Sequence, residues 1–222
     1  MSQAHTALEH LRVIRSLMEK AHIYRAISAP AALLGGVLAL TASVWPAWHA
    51  AQHDGAALFS NRTFLILWHS ILAITSVVNM LLLAREARRR DQPFVSDGMR
   101  MALRAFLPPM LVGGAVALIL VIFLHNLTLA ALMWALGHGL ALLATAGFSP
   151  RSLIRLGWAF VSLGLLLLLL WAANPDVRNL SSDLGPASIV MGLTFGLLHV
   201  IYAIAVFLSR PPQALKSEVV TA

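Results

Sequence analysis

Six apolar segments of about 20 residues, each long enough to cross a hydrocarbon core of about 30 Å as a helix, can be drawn along this chain. They cover roughly 27–48, 63–84, 105–124, 127–147, 152–173 and 187–208. The connections between them alternate in charge. If both ends of the chain face the cytoplasm, all but two of its 16 Lys and Arg lie on the inner side, the exceptions being Arg62 and Arg178. Inner loops carry such an excess because basic residues resist translocation. Lipid offers backbone amides no water, so a spanning segment of this type bonds them within its own helix. The sequence therefore predicts an all-α polytopic membrane protein, with six transmembrane helices over 27–208 and both termini cytoplasmic.

Composition agrees with that class. Hydrophobic residues make up 59% of the chain and charged residues 11%, against about 25% charged in a soluble domain. The basic balance comes from Arg, with 14 Arg to 2 Lys. These side chains sit at helix ends, where topology and anionic lipid headgroups account for them without a nucleic-acid partner. The run Arg85, Arg88, Arg89 and Arg90 is the clearest headgroup contact. The chain has no cysteine, which excludes disulfides, thiolate metal sites and thiol catalysis. The Arg-over-Lys, Ala- and Leu-rich composition fits a bacterial inner (plasma) membrane. The first apolar stretch follows a long charged lead and ends in Ser43-Val44-Trp45-Pro46-Ala47-Trp48, with no small-residue cleavage site. It is read as an uncleaved span.

Two segments flank the bundle. Over 1–26, Leu8, Leu11, Ile14 and Met18 recur at helical spacing, with Glu9, Arg12, Arg15, Glu19 and Lys20 on the remaining surface. This predicts a cytoplasmic amphipathic helix lying on headgroups, on the bundle or against a soluble partner. The tail 209–222 is expected to be disordered. Within the bundle, Pro30 to Leu40 aligns with Pro108 to Leu118, matching the Pro, both glycines (Gly35-Gly36, Gly113-Gly114) and the closing Ala-Leu. Duplication of a hairpin or shared packing demands would each produce it. Gly192-xxx-Gly196 and the small residues around Gly137 and Gly139 point to close helix contacts, either inside the bundle or between two copies of the chain.

No Asp, Glu, Lys or Arg lies near the middle of a span, and no catalytic motif or metal-ligand set is complete. The polar candidates are therefore few. His138 lies eleven residues from the outer end of its span and His199 twelve, about 16 to 18 Å deep and near the midplane. His69 is shallower. Two neutral imidazoles at one depth can ligate a haem iron axially, and Gly137 and Gly139 would leave room for a flat macrocycle or for a helix. The plainer expectation is that both histidines hydrogen-bond across helices. Ser70, Thr75, Ser76 and Asn79 form a polar stripe on the second span. It serves helix contacts or, with Ser70, Thr75 and Asn79 as contacts, a ligand path.

Three elements in order carry a resemblance: Leu11 to Lys20 ahead of Gly35-Gly36; Trp134 to Leu142 with Ser149 to Trp158; and Phe195 to Tyr202. Together the chain resembles a group of uncharacterised six-span bacterial inner-membrane proteins with an N-terminal cytoplasmic amphipathic helix. The resemblance implies a compact six-helix bundle and carries no activity or site residues. His199 is the more typical element of that group, whereas the position of His138 can be Tyr. The leading expectation is a non-enzymatic binding, sensing or scaffolding bundle with no cofactor, alone or with a second copy or membrane partner. The alternatives are a haem b- or quinone-binding redox subunit built on His138 and His199, and a small permease without an embedded charge.

Overall fold

The computed structural model describes Glu9 and residues 27–52, 61–89, 91, 94–95, 97–147, 149–180 and 184–209. The amphipathic segment and nearly all of the tail lie outside these residues. Every regular element among them is helical. In chain order these are α1 (Ala29–Gln52), α2 (Asn61–Arg89), α3 (Asp97–Ile122), α4 (Leu127–Ala144), α5 (Arg151–Ala173), the short α6 (Pro175–Asn179) and α7 (Leu184–Met191). A π-helical segment, Gly192–Leu198, then leads directly into α8 (His199–Leu208).

Five helical runs are long and apolar enough to cross a membrane: Asn61–Arg89, Met99–Ile122, Leu127–Ala144, Arg151–Ala173 and Gly185–Leu208. Among the described residues the apolar run in α1 is shorter, Ala29–Trp45, within a helix of 24 residues. Towards its end the rings of Trp45 and Trp48 lie 5.4 Å apart, as in an interfacial aromatic belt. The architecture is thus that of a helical membrane bundle, with five full-length apolar helices and a sixth shorter one.

Helix ends follow local chemistry. Asn126 caps α4, its side chain accepting a hydrogen bond from the Leu129 amide at 2.9 Å. The preceding turn is closed by His125 at φ 49. Asn61, at the start of α2, braces it: its amide nitrogen donates to the Val121 carbonyl at 3.3 Å and lies 2.7 Å from His125 Nδ1. Arg88 and Arg89 occupy the last turn of α2, where cations suit the helix dipole. Pro108 and Pro109 lie inside α3 without ending it.

Packing centres on α4, which lies against α3, α5 and α7, and on α1, which lies against α2, α7, the π segment and α8. Ala131, Leu132 and Ala135 of α4 are fully enclosed. The outer layer is inverted relative to a soluble protein. Ile74, Val77 and Leu81 on α2 and Leu111, Val112 and Ile119 on α3 are exposed. A lipid solvent tolerates such faces; water would not.

Small residues make the close contacts. Gly192 faces the Ser43 side chain of α1, and Gly196 faces Leu40, so the Gly192-xxx-Gly196 pair packs within the bundle. The two aligned glycine pairs only half correspond. Gly35 and Gly113 each meet the following helix, at Thr75 and Gly137 respectively. Gly36 is closed in by Gly196 and Val200, while Gly114 has nothing within 4 Å. The shared demand is one glycine per hairpin, which close helix approach explains by itself.

Asn79 has a definite structural task. Its Oδ1 accepts the Ser28 amide at 2.9 Å, one of the donors that a helix start leaves without an intrahelical partner. From the other side, the Tyr202 hydroxyl donates to the Ile27 carbonyl at 3.3 Å. The first helix is therefore pinned to both α2 and α8. Asn79→Leu should lower the stability of the folded bundle by about 1 kcal/mol, the usual net worth of a hydrogen bond. Denaturant unfolding of the purified variant in detergent measures it, and an unchanged midpoint would show that the contact contributes nothing.

Candidate functional site

Two helices bring His138 and His199 together. His138 projects from the middle of α4, and His199 is the first residue of α8. Their ring centroids are 5.6 Å apart, with the planes inclined at 48°. Matched depth predicts that they can meet; the rotation of both helices makes them do so.

The π segment is part of that rotation. Each residue in an α-helix turns about 100°, so a turn carrying one extra residue redirects every side chain beyond it. The segment is accommodated by Gly192 and Gly196, which lie against α1. Thr194 bonds back within the span, donating to the Val190 carbonyl at 2.7 Å. His199 stands at its exit. There Nδ1 lies 3.0 Å from the Phe195 carbonyl oxygen. A carbonyl only accepts, so this contact assigns the proton to Nδ1 and leaves the Nε2 lone pair free of it.

His138 is different. Among the described residues neither of its ring nitrogens has a hydrogen-bond partner, and both are closed to solvent. The expectation of bonds across helices is therefore not met: His138 makes none, and the Nδ1 bond of His199 stays within its own helical run. An unbonded imidazole nitrogen inside a bundle is unfavourable, since most buried polar atoms find partners.

Three phenylalanines enclose the pair. Phe106 of α3 meets His138 edge-on at 6.0 Å. Phe160 of α5 lies 4.8 Å from His138 and 5.4 Å from His199. Phe195 lies 5.2 Å from His138 and stacks on His199 at 6.2 Å. Phe160 and Phe195 also touch each other, at 5.2 Å. Sequence reading did not single out Phe106 or Phe160. They lie on other helices, and no spacing within one helix reveals a contact between two. Phe195 carries the only local signal, four residues before His199 on the same face.

The residues present do not fit a macrocycle between the histidines. A porphyrin needs an open slot between its axial ligands, yet Phe160 and Phe195 are in contact with both rings. The flanking glycines are also occupied. A Cβ on Gly137 would stand 2.7 Å from the Gly113 Cα, and one on Gly139 would stand 2.8 Å from the Phe160 Cβ. They admit helices.

The other sequence candidates stay apart from this pair. His69 is exposed, with Nδ1 on the Leu65 carbonyl at 2.8 Å and its ring 5.0 Å from Trp134. Ser70 is exposed. Thr75 packs on Gly35, and its hydroxyl is buried without a partner among the described residues. Asn79 serves the start of α1. The stripe Ser70, Thr75 and Asn79 thus divides between an outer face and the α1–α2 seam.

No known protein family matches the chain, and neither does any curated protein or solved structure.

Proposed function

We propose that this protein is a six-span bacterial inner-membrane bundle, with both termini cytoplasmic, that binds or senses a small ligand at the His138–His199 pair without catalysing a reaction. It would belong with the uncharacterised six-span proteins it resembles. The observation that carries the reading is His138: an ionisable side chain deep in an apolar span, with both nitrogens closed off and unbonded. Groups of this kind are expensive to hold in a membrane, and function is the usual reason for keeping them. The aromatic enclosure supports the same reading, because it holds both imidazoles in fixed mutual geometry. Arg85, Arg88 and Arg89, which share an open depression with Leu81 and Ala84, would contact anionic headgroups at the inner surface.

Two measurements test it. Reporter fusions at Gln52 and Asp183 should read as periplasmic and a fusion in the 91–97 loop as cytoplasmic. Any reversal among the three removes the six-span topology. For the centre itself, His138→Leu should give a bundle at least as stable as the parent, since the side chain has no hydrogen-bond partner among the described residues. A clear loss of stability would make His138 a packing residue and end the reading.

A further inference from the structure

We propose that His138 and His199 form a two-coordinate site for a soft monovalent metal ion, Cu(I), for which Ag(I) is a surrogate. The inference rests on the reading of this pair as a ligand centre and names its ligand class.

Geometry comes first. Bonds from a metal to imidazole nitrogen are about 2.0–2.1 Å, so two ligating nitrogens stand about 4 Å apart across the ion. In-line donors at that span put the ring centroids about 6.3 Å apart, so the present separation of 5.6 Å widens by roughly 0.7 Å to admit the ion. The two imidazoles do not bond to each other, since His138 has no hydrogen-bond partner at either nitrogen among the described residues. The protonation pattern is that of a ligand set. Metal-binding histidines characteristically donate their second N–H to a carbonyl, which fixes the tautomer and orients the ring. His199 does this through Nδ1 and the Phe195 carbonyl, leaving Nε2 for the ion. His138 has both nitrogens available.

Ligand number and charge then select the ion. Among the described residues no group of three or more His, Cys, Asp or Glu could hold a metal. Zinc asks for four ligands and magnesium or calcium for six or more oxygens. Cu(I) and Ag(I), with filled d shells, accept two nitrogen donors in line, and imidazole is a good copper ligand. No carboxylate belongs to the cluster, so the charge of the ion stays uncompensated. The desolvation cost rises with the square of charge, which makes a monovalent ion about four times cheaper to bury than a divalent one of equal size. Phe106, Phe160 and Phe195 crowd the centre, and aromatic faces offset part of that cost. Size agrees as well: a single ion needs only a small parting of the two rings, where a quinone headgroup would have to displace a side chain.

The test uses the full-length protein in lipid nanodiscs under anaerobic conditions, titrated with Cu(I) against a chromogenic Cu(I) chelator. The expected result is one Cu(I) per chain, retained in His69→Leu and weakened by about a hundredfold or more in His138→Leu and in His199→Leu, as loss of a ligand demands. X-ray absorption of the copper-loaded parent chain should show nitrogen donors only, a result that needs no variant to fold. Ag(I) should raise the unfolding midpoint of the parent and leave that of His138→Leu unmoved. Absence of Cu(I) binding by the folded parent, sulfur donors in the absorption spectrum, equal binding by folded variants, or tighter binding of Zn(II) would each overturn the proposal. If the parent binds no Cu(I) while His138→Leu is still at least as stable as the parent, the metal falls and the ligand centre stands. If His138→Leu is clearly less stable than the parent, the centre falls with it.

Discussion

Replacing Gly137 by Ala should cost about 1–3 kcal/mol of bundle stability, the usual range for forced overpacking, and Gly137→Leu should prevent assembly of α3 on α4. The contact is backbone against backbone. A Cβ at Gly137 would lie 2.7 Å from the Gly113 Cα and 3.3 Å from the Pro109 carbonyl oxygen. A Cβ at Gly113 would lie 2.7 Å from the Gly137 Cα and 3.2 Å from the Met133 carbonyl oxygen. No flexible side chain is available to yield, so the helices must separate. In lipid that separation forfeits dispersion contacts that no hydrophobic force replaces. Gly114 is the internal control. It follows Gly113 on the same helix and has nothing within 4 Å. Gly114→Ala should be neutral or stabilising by up to about 1 kcal/mol, since alanine is the better helix former. Equal losses at positions 114 and 137 would show that the Gly113–Gly137 contact does not set the effect. The double variant Gly113→Ala with Gly137→Ala should cost less than the two single losses together, because one methyl already parts the helices.

The contrast between Gly113 and Gly114 also marks how far the sequence reaches. Apolar run length and the placement of Arg and Lys made a helical membrane bundle legible, and small residues pointed to close contacts. Which glycine of a pair makes the contact depends on helix rotation, which hydropathy does not encode. The first span, read over 27–48, corresponds to the 24-residue helix Ala29–Gln52. Depth was legible for His138 and His199 because residues per span convert directly to ångströms. Their facing was not, because it depends on the π segment Gly192–Leu198. Gly192 and Gly196 were visible as small residues, but the extra residue in the turn leaves no compositional trace. Phe106 and Phe160 were out of reach for the same reason that any contact between distant helices is. Asn79 was noticed for its polarity, and its partner, the Ser28 amide, is a backbone group that sequence inspection passes over.

His138→Leu and His199→Leu should move stability in opposite directions. Among the described residues His138 has no hydrogen-bond partner in its buried position. An unsatisfied buried polar group costs about 1–3 kcal/mol, and replacing it by an apolar side chain of similar size recovers much of that cost. Two terms reduce the gain. Of its phenylalanine contacts only that with Phe106 is T-shaped, and losing one favourable aromatic pair costs about 0.5–1.5 kcal/mol. The unfolded chain in a membrane also finds some partners for its polar groups. The net expectation is a bundle at least as stable as the parent and up to about 1 kcal/mol more stable. His199→Leu removes the Nδ1 bond to the Phe195 carbonyl at the exit of the π segment. It should lower stability by about 0.6 kcal/mol, the mean for side-chain hydrogen bonds in a membrane bundle, and by no more than about 1.7 kcal/mol. Unfolding midpoints of the two single variants and the parent, in one lipid composition and without added metal, decide it. The sign at position 138 is the informative quantity. A residue whose removal strengthens the fold is not there for the fold, and proteins keep such residues where a site needs them. If both variants lose stability equally, His138 is held by contacts that its ring makes as a packing group, and a ligand centre is no longer needed to explain its place at mid-membrane.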